Sequence, residues 1–200
     1  MANHVFTNQT ITHTDPAELQ RLNILLHGWN QSEEESAGFI SYLLDQEVTE
    51  DQLDRNTTTD AIGAKWMSIE EVEKVSDTEI ILMTTTAWSH PCEMWENLEQ
   101  RGFSIDANYE DEMPNFFGTY STEDGDDYVD TEDMYEAIDT ALEDFESDLK
   151  ETSDYNNAMY EECVHAAMRV IVDPVSEFNQ ETIGRLVENY LEVQDHYVGE

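Results

Sequence analysis

The chain has 200 residues, with 8 Lys and Arg against 47 Asp and Glu, so its formal charge is −39 although 39% of it is hydrophobic. Such a surface repels phosphate, because neutralising a polynucleotide backbone takes cations that this composition lacks, and direct nucleic-acid binding is excluded. Anionic headgroups are repelled in the same way, and the longest apolar runs, such as Ile80-Ile81-Leu82-Met83, are far too short to cross a bilayer.

The first 30 residues read as a strand and then a helix. Val5 to Thr12 is rich in β-branched residues, and Asp15-Pro16-Ala17-Glu18 offers a cap, a proline at the first helical position and an early acid, with Gly28 as the stop. Residues 31–60 form a long polar connection holding one short helix around Phe39, Ile40, Tyr42, Leu43 and Leu44. Ala61 to Met67 reads as extended, and Ser68-Ile69-Glu70-Glu71 as the capping box of a brief helix ending near Val75. Glu79 to Trp88 is the most strand-like run. Pro91 opens a helix carrying Met94, Trp95 and Leu98, closed by Gly102. Phe103 to Tyr109 and Phe116 to Tyr120 are further strands, the second split by Gly118. This order predicts an α+β sandwich with helices on one face of an antiparallel sheet. Trp66, Trp88 and Trp95 are expected to pack together beneath those helices.

Asn3-His4-Val5, Gly63-Ala64-Lys65-Trp66, Thr86-Ala87-Trp88-Ser89-His90-Pro91, Trp95, Tyr109-Glu110 and Phe117-Gly118 together resemble the YubB-type ferredoxin-like domain family of phages and plasmids. Over residues 1–121 the resemblance implies a ferredoxin-like βαββαβ sheet, extended here by the insert at 31–60, and a mobile-element source. It brings no activity with it. "Ferredoxin-like" names a topology, and two cysteines cannot supply the four ligands of an iron–sulfur cluster.

Residues 122–200 read as an acidic extension of three helices: Thr131 to Leu149, then from Ser153 or Asp154 to Val172, then onward from Asp173-Pro174. Between Asp106 and Glu162 there are 21 acidic residues and one base, Lys150. At about 100° per residue, Met134, Ile138, Ala141, Leu142, Phe145 and Leu149 share one arc of the first of these helices. Glu132, Asp133, Glu136, Asp139, Glu143, Asp144, Glu146 and Asp148 fill the opposite side. Like charges at three- and four-residue spacing destabilise a helix, so folding alone would not select this face. Over a helix about 28 Å long its eight carboxylates fall about 3.6 Å apart, near the ~3.4 Å phosphate spacing of one DNA strand.

The pattern predicts a binding protein that mimics a nucleic-acid backbone and inhibits a basic DNA- or RNA-binding protein of a host or defence system. Those eight carboxylates, with Asp124, Asp126, Asp127 and Asp130 just before them, are the expected partner-binding residues. The alternative is a structural or assembly protein of a mobile element, homo-oligomeric through its helices, whose acidity serves solubility or adaptation to salt. No catalytic residue, cofactor or metal is expected. No phosphate loop or nucleophile elbow is present, and the acids around Gly125 do not keep EF-hand spacing. His90, Cys92, Cys163 and His165 do not form a zinc set, because helical residues two apart point away from each other. With two cysteines and no signal segment, the expected location is the cytoplasm, that of the host cell for a phage protein.

Overall fold

The computed structural model describes residues 3–113, 115–145, 154–170 and 177–193. The chain is mixed α+β, with strands β1 (His4–Thr12), β2 (Lys65–Lys74), β3 (Glu79–Ala87), β4 (Ser104–Asp111), β5 (Phe116–Ser121) and β6 (Gly125–Asp130). The helices are α1 (Pro16–Gly28), α2 (Glu33–Leu44), α3 (Arg55–Ile62), α4 (Cys92–Glu99), α5 (Thr131–Asp144), α6 (Asp154–Met168) and α7 (Glu177–Val193). The six strands form one open antiparallel sheet in the order β2-β3-β1-β4-β5-β6. Six strands stand where a βαββαβ unit has four.

Two compact units divide the chain, one of Met1–Pro114 with Tyr120–Asp126 and the other of Asn115–Thr119 with Asp127–Glu200. In the first unit β1 alternates in burial, with Val5, Thr7, Gln9 and Ile11 inward, so one face of the strand is core and the other open. Its neighbours continue the inward face with Ile80, Leu82 and Thr84 of β3 and Ile105, Ala107 and Tyr109 of β4. Helix α1 begins where the Asp15 carboxylate accepts from the Ala17 amide and Pro16 needs no partner, and it buries Leu19, Leu22 and Leu26. Ser32 caps α2 through the Glu35 amide, and Asp54 caps α3 through that of Thr57.

The expected brief helix from Ser68 to Val75 is instead the outer strand β2. The Ser-x-x-Glu pattern satisfies helix amides locally, but here the same amides pair with β3, from Ser68 opposite Thr85 to Lys74 opposite Ile80. The connection over 31–60 holds two helices and a 3-10 turn (Glu50–Gln52) rather than one short helix. The acidic stretch after Thr122 turns into strand β6.

In the second unit Met134 and Ile138 of α5, Met159, Cys163 and Ala167 of α6, and Ile183, Leu186, Val187 and Leu191 of α7 form one core with Phe117 and Val129. Tyr135, Leu142 and Phe145 pack against its edge. The first helix of this unit is expected to run to Leu149, but it ends at Asp144, where Phe145 turns to extended backbone; Glu146 and Asp148 lie outside the described residues, as do 171–176.

Candidate functional site

Helix α5 starts at Asp130, whose carboxylate accepts from the Glu132 amide at 2.8 Å. The 100° periodicity then turns Met134 and Ile138 into the core and leaves Glu132, Asp133, Glu136, Asp139 and Glu143 exposed. Asp144 is the last residue of the helix. No base lies within α5, so its outward face is carboxylate with Thr140.

The acids of this region differ in what holds them. Asp139 accepts from the Tyr190 hydroxyl at 2.6 Å, and that bond, followed by burial, pushes the phenol up to about 12. Asp127 accepts from the Asn179 amide nitrogen at 2.9 Å. Asp124 accepts from Ser121 Oγ at 3.2 Å while its own amide donates back to that oxygen at 2.9 Å, closing a tight turn. Asp130 caps the helix. For Glu132, Asp133, Glu136 and Glu143, no side-chain hydrogen bond or ion pair is recorded among the described residues. Asp124, Asp127, Asp130 and Asp139 are thus tied into the structure, while Glu132, Asp133, Glu136 and Glu143 project into solvent.

Asp126 belongs to the first unit and sits in a ring cluster. His90 stacks against both Trp95, at 5.1 Å between centroids, and Tyr109, at 4.0 Å, and those two rings lie 6.2 Å from each other. Its Nε2 is 3.4 Å from Asp126 Oδ2, and the Tyr109 hydroxyl donates to Oδ1 at 2.5 Å. Burial pushes the Asp126 carboxyl up, but the hydrogen bonds from His90 and Tyr109 together outweigh it and hold the group below its ordinary range. Trp95 is fully buried and donates its indole N–H to Gln9 at 2.6 Å. These contacts pack the three rings into the interior and leave Asp126 at their exposed edge, with His90 Nδ1 the one nitrogen of these rings lacking a partner.

Of Trp66, Trp88 and Trp95, which the sequence places together in the core, only Trp95 is buried. Trp66 is 62% exposed and Trp88 44%. Both stand in left-handed backbone, at φ 54° and 68°, a conformation that costs a bulky residue about 1–3 kcal/mol. At Trp66 a bulge is the cause. Between the pairs Lys65 with Ala87 and Ser68 with Thr85, β2 holds one residue more than β3, which re-aims Trp66 outward. The two rings meet at 4.9 Å between centroids and 48° between planes. Lys65 Nζ lies 4.9 Å from the Trp88 ring centroid, and Arg55 Cζ 5.8 Å from that of Trp66. Their place on expected strands, where aromatic side chains are more often core than ligand platform, assigns these rings to the core in the sequence. The signal that would have moved them outward is local: each lies beside a strand end, and Trp66 directly follows one of only eight cations.

Among the described residues no group of three or more His, Cys, Asp or Glu is placed to hold a metal ion, and no helix is long and apolar enough to cross a membrane. Comparison with protein-family models, with curated proteins and with solved structures finds no match to this chain.

Proposed function

We propose that the chain is a non-catalytic binding protein that imitates a polynucleotide backbone and occupies the groove of a basic DNA- or RNA-binding protein of a host or its defences. The observation that carries this reading is the outward face of α5, where Glu132, Asp133, Glu136, Asp139 and Glu143 stand exposed with no base among them. With Asp144, α5 carries six carboxylates along about 21 Å of axis. That is one per about 3.5 Å, close to the ~3.4 Å per phosphate of a DNA strand. A helix that keeps a like-charged face sacrifices the stabilisation that interspersed lysines would give. Potential of one sign steers a partner of the other and makes the association sensitive to salt. The same reading gives the chain a phage or plasmid source and a place with the YubB-type family. In support, β2-β3-β1-β4 is the order of a split βαβ unit, with β1 antiparallel to both β3 and β4.

The test is capture of basic proteins from a bacterial lysate on the immobilised chain. A nucleic-acid-binding protein that is retained at low salt, released at high salt and displaced by duplex DNA supports mimicry.

A second reading has its own observation. Exposed carboxylates also cover the first unit, at Glu33, Glu34 and Glu35 of α2 and at Glu70, Glu71 and Glu73 of β2. Acidity that serves solubility or salt adaptation spreads in this way, around an assembly protein of a mobile element that associates with its own copies. Self-association unchanged by salt, with no other protein retained, supports that role.

A further inference from the structure

We propose that the exposed pair Trp66 and Trp88, with Arg55 and Lys65, forms a binding site for a nucleoside monophosphate, in which the indoles take the base and the two cations take the phosphate. The site lies in the first unit and is independent of the α5 face.

Three observations converge on it. Two bulky aromatic residues occupy left-handed backbone at one place, and at Trp66 the cause is a bulge that turns the ring outward. Strain of this kind persists where the surroundings impose it, and it concentrates at binding sites. The second is charge. Arg21, Lys74, Arg101 and Arg169 each have a carboxylate within salt-bridge distance. Among the described residues Arg55 and Lys65 have none, and each lies over an indole ring. In a chain with 47 acids against 8 bases, two cations held in no ion pair with a described carboxylate, although Glu33 and Asp54 share their cavity wall, are cations available to an external anion. The third is space. A cavity of about 550 Å³ opens beside Trp66, with Trp29, Leu53 and Met67 as apolar lining and Arg55 and Lys65 in its wall. That volume lies within the ~300–1,000 Å³ range of small-ligand sites.

The lining also selects the ligand class. Glu33 and Asp54 share the cavity wall, so a bare anion gains little there. A planar ring must supply the remainder by stacking on Trp66, which is largely exposed, as bases do on aromatic platforms. A polynucleotide is excluded because its further phosphates would run onto the surrounding acids, whereas one phosphate is bound within a screening length of Arg55 and Lys65. The floor is rigid, since Trp29 Nε1 and Asn30 Nδ2 both donate to the Met67 carbonyl, at 3.0 and 3.3 Å.

The experiment is calorimetric titration of the full chain with AMP, GMP, CMP and UMP, and with adenosine and inorganic phosphate as separate halves. The expected result is that at least one nucleotide binds about tenfold or more tighter than either half. Arg55→Gln with Lys65→Gln removes the advantage over the nucleoside, and Trp66→Asn removes binding of the ring. Trp66 is exposed and asparagine tolerates the left-handed region, so the variant keeps its fold, and thermal melting checks this. The double reversal Glu136→Lys with Glu143→Lys on α5 leaves nucleotide affinity unchanged, which separates this site from the proposed partner face. Absence of binding by all four nucleotides at millimolar concentration, or affinity unmoved by the Arg55, Lys65 and Trp66 variants, overturns the proposal.

Discussion

The hydroxyl of Tyr190 on α7 donates to the carboxylate of Asp139 on α5 at 2.6 Å, so one acid of the exposed helix face is held by a neighbouring helix. The Tyr190 phenol is raised to about 12, first by that bond and then by burial. A group with a raised native pKa contributes stability that is complete below the unfolded value, about 10, and is lost as pH climbs through the native one. Tyr190→Phe is therefore expected to cost about 0.5–1 kcal/mol at neutral pH. It also flattens the alkaline fall in stability between about pH 10 and 12. Denaturant melts of the two proteins at pH 8 and above check both; equal alkaline slopes refute the assignment.

Acid acts on the first unit through Asp126. Its carboxyl faces His90 and Tyr109, whose hydrogen bonds outweigh burial and hold its pKa low. A depressed carboxyl contributes stability above its unfolded pKa, about 3.9, and that stability is lost as pH falls through the native value. Asp126→Asn should cost about 1–2 kcal/mol at neutral pH and remove part of the acid dependence below pH about 4. Stability curves of both proteins between pH 3 and 7 decide; a variant that keeps the wild-type acid slope contradicts the role given to this group.

Gly63 and Gly125 both stand in left-handed backbone, at φ 84° and 83°, and differ in their surroundings. A Cβ on Gly63 would come within 2.7 Å of both Cys92 Sγ and the Glu93 backbone nitrogen, whereas one on Gly125 meets nothing within 4 Å. Gly125→Ala should cost about 1 kcal/mol, from backbone strain alone. Gly63→Ala should cost about 2–4 kcal/mol, because the start of α4 must also shift. Equal losses in thermal or denaturant melts would mean that the close approach is relieved at no cost.

The strain at Trp66 can be released. Trp66→Asn exchanges an exposed indole for a residue that accepts the left-handed region, so stability is expected to stay level or rise by about 1 kcal/mol. A clear loss would show that the ring holds the fold together despite being 62% exposed.

The sequence is legible where the physics is local. Asp15 and Asp130 cap helices because a carboxylate reaches amides two residues on, and the acidic face of α5 follows from a fixed angle per residue. Strand β2 was hidden because Ser68-Ile69-Glu70-Glu71 satisfies a helix start locally, while the β3 partners of Ser68, Ile69 and Glu71, which are Thr85, Thr84 and Met83, are set by a hairpin that no local signal announces. Trp66 and Trp88 face outward because a bulge and a backbone angle place them, and neither is written in composition. The partners of Asp127 and Asp139 come from α7, fifty residues downstream, so their roles as tethered acids had no sequence signal.

The most direct measurement compares the unaltered chain with Glu136→Lys and Glu143→Lys, which reverse charge at two exposed positions and spare both the Asp130 cap and the Asp139–Tyr190 bond. Each protein is immobilised, exposed to a bacterial lysate, and challenged with duplex DNA at about 50 and 500 mM salt, where screening lengths differ several-fold. The unaltered chain should retain a basic nucleic-acid-binding protein at the lower salt and lose it to DNA, while the reversed chain, equally folded by circular dichroism, retains at least about tenfold less. Equal retention by the two chains, or retention that neither DNA nor salt disturbs, would contradict mimicry by this helix.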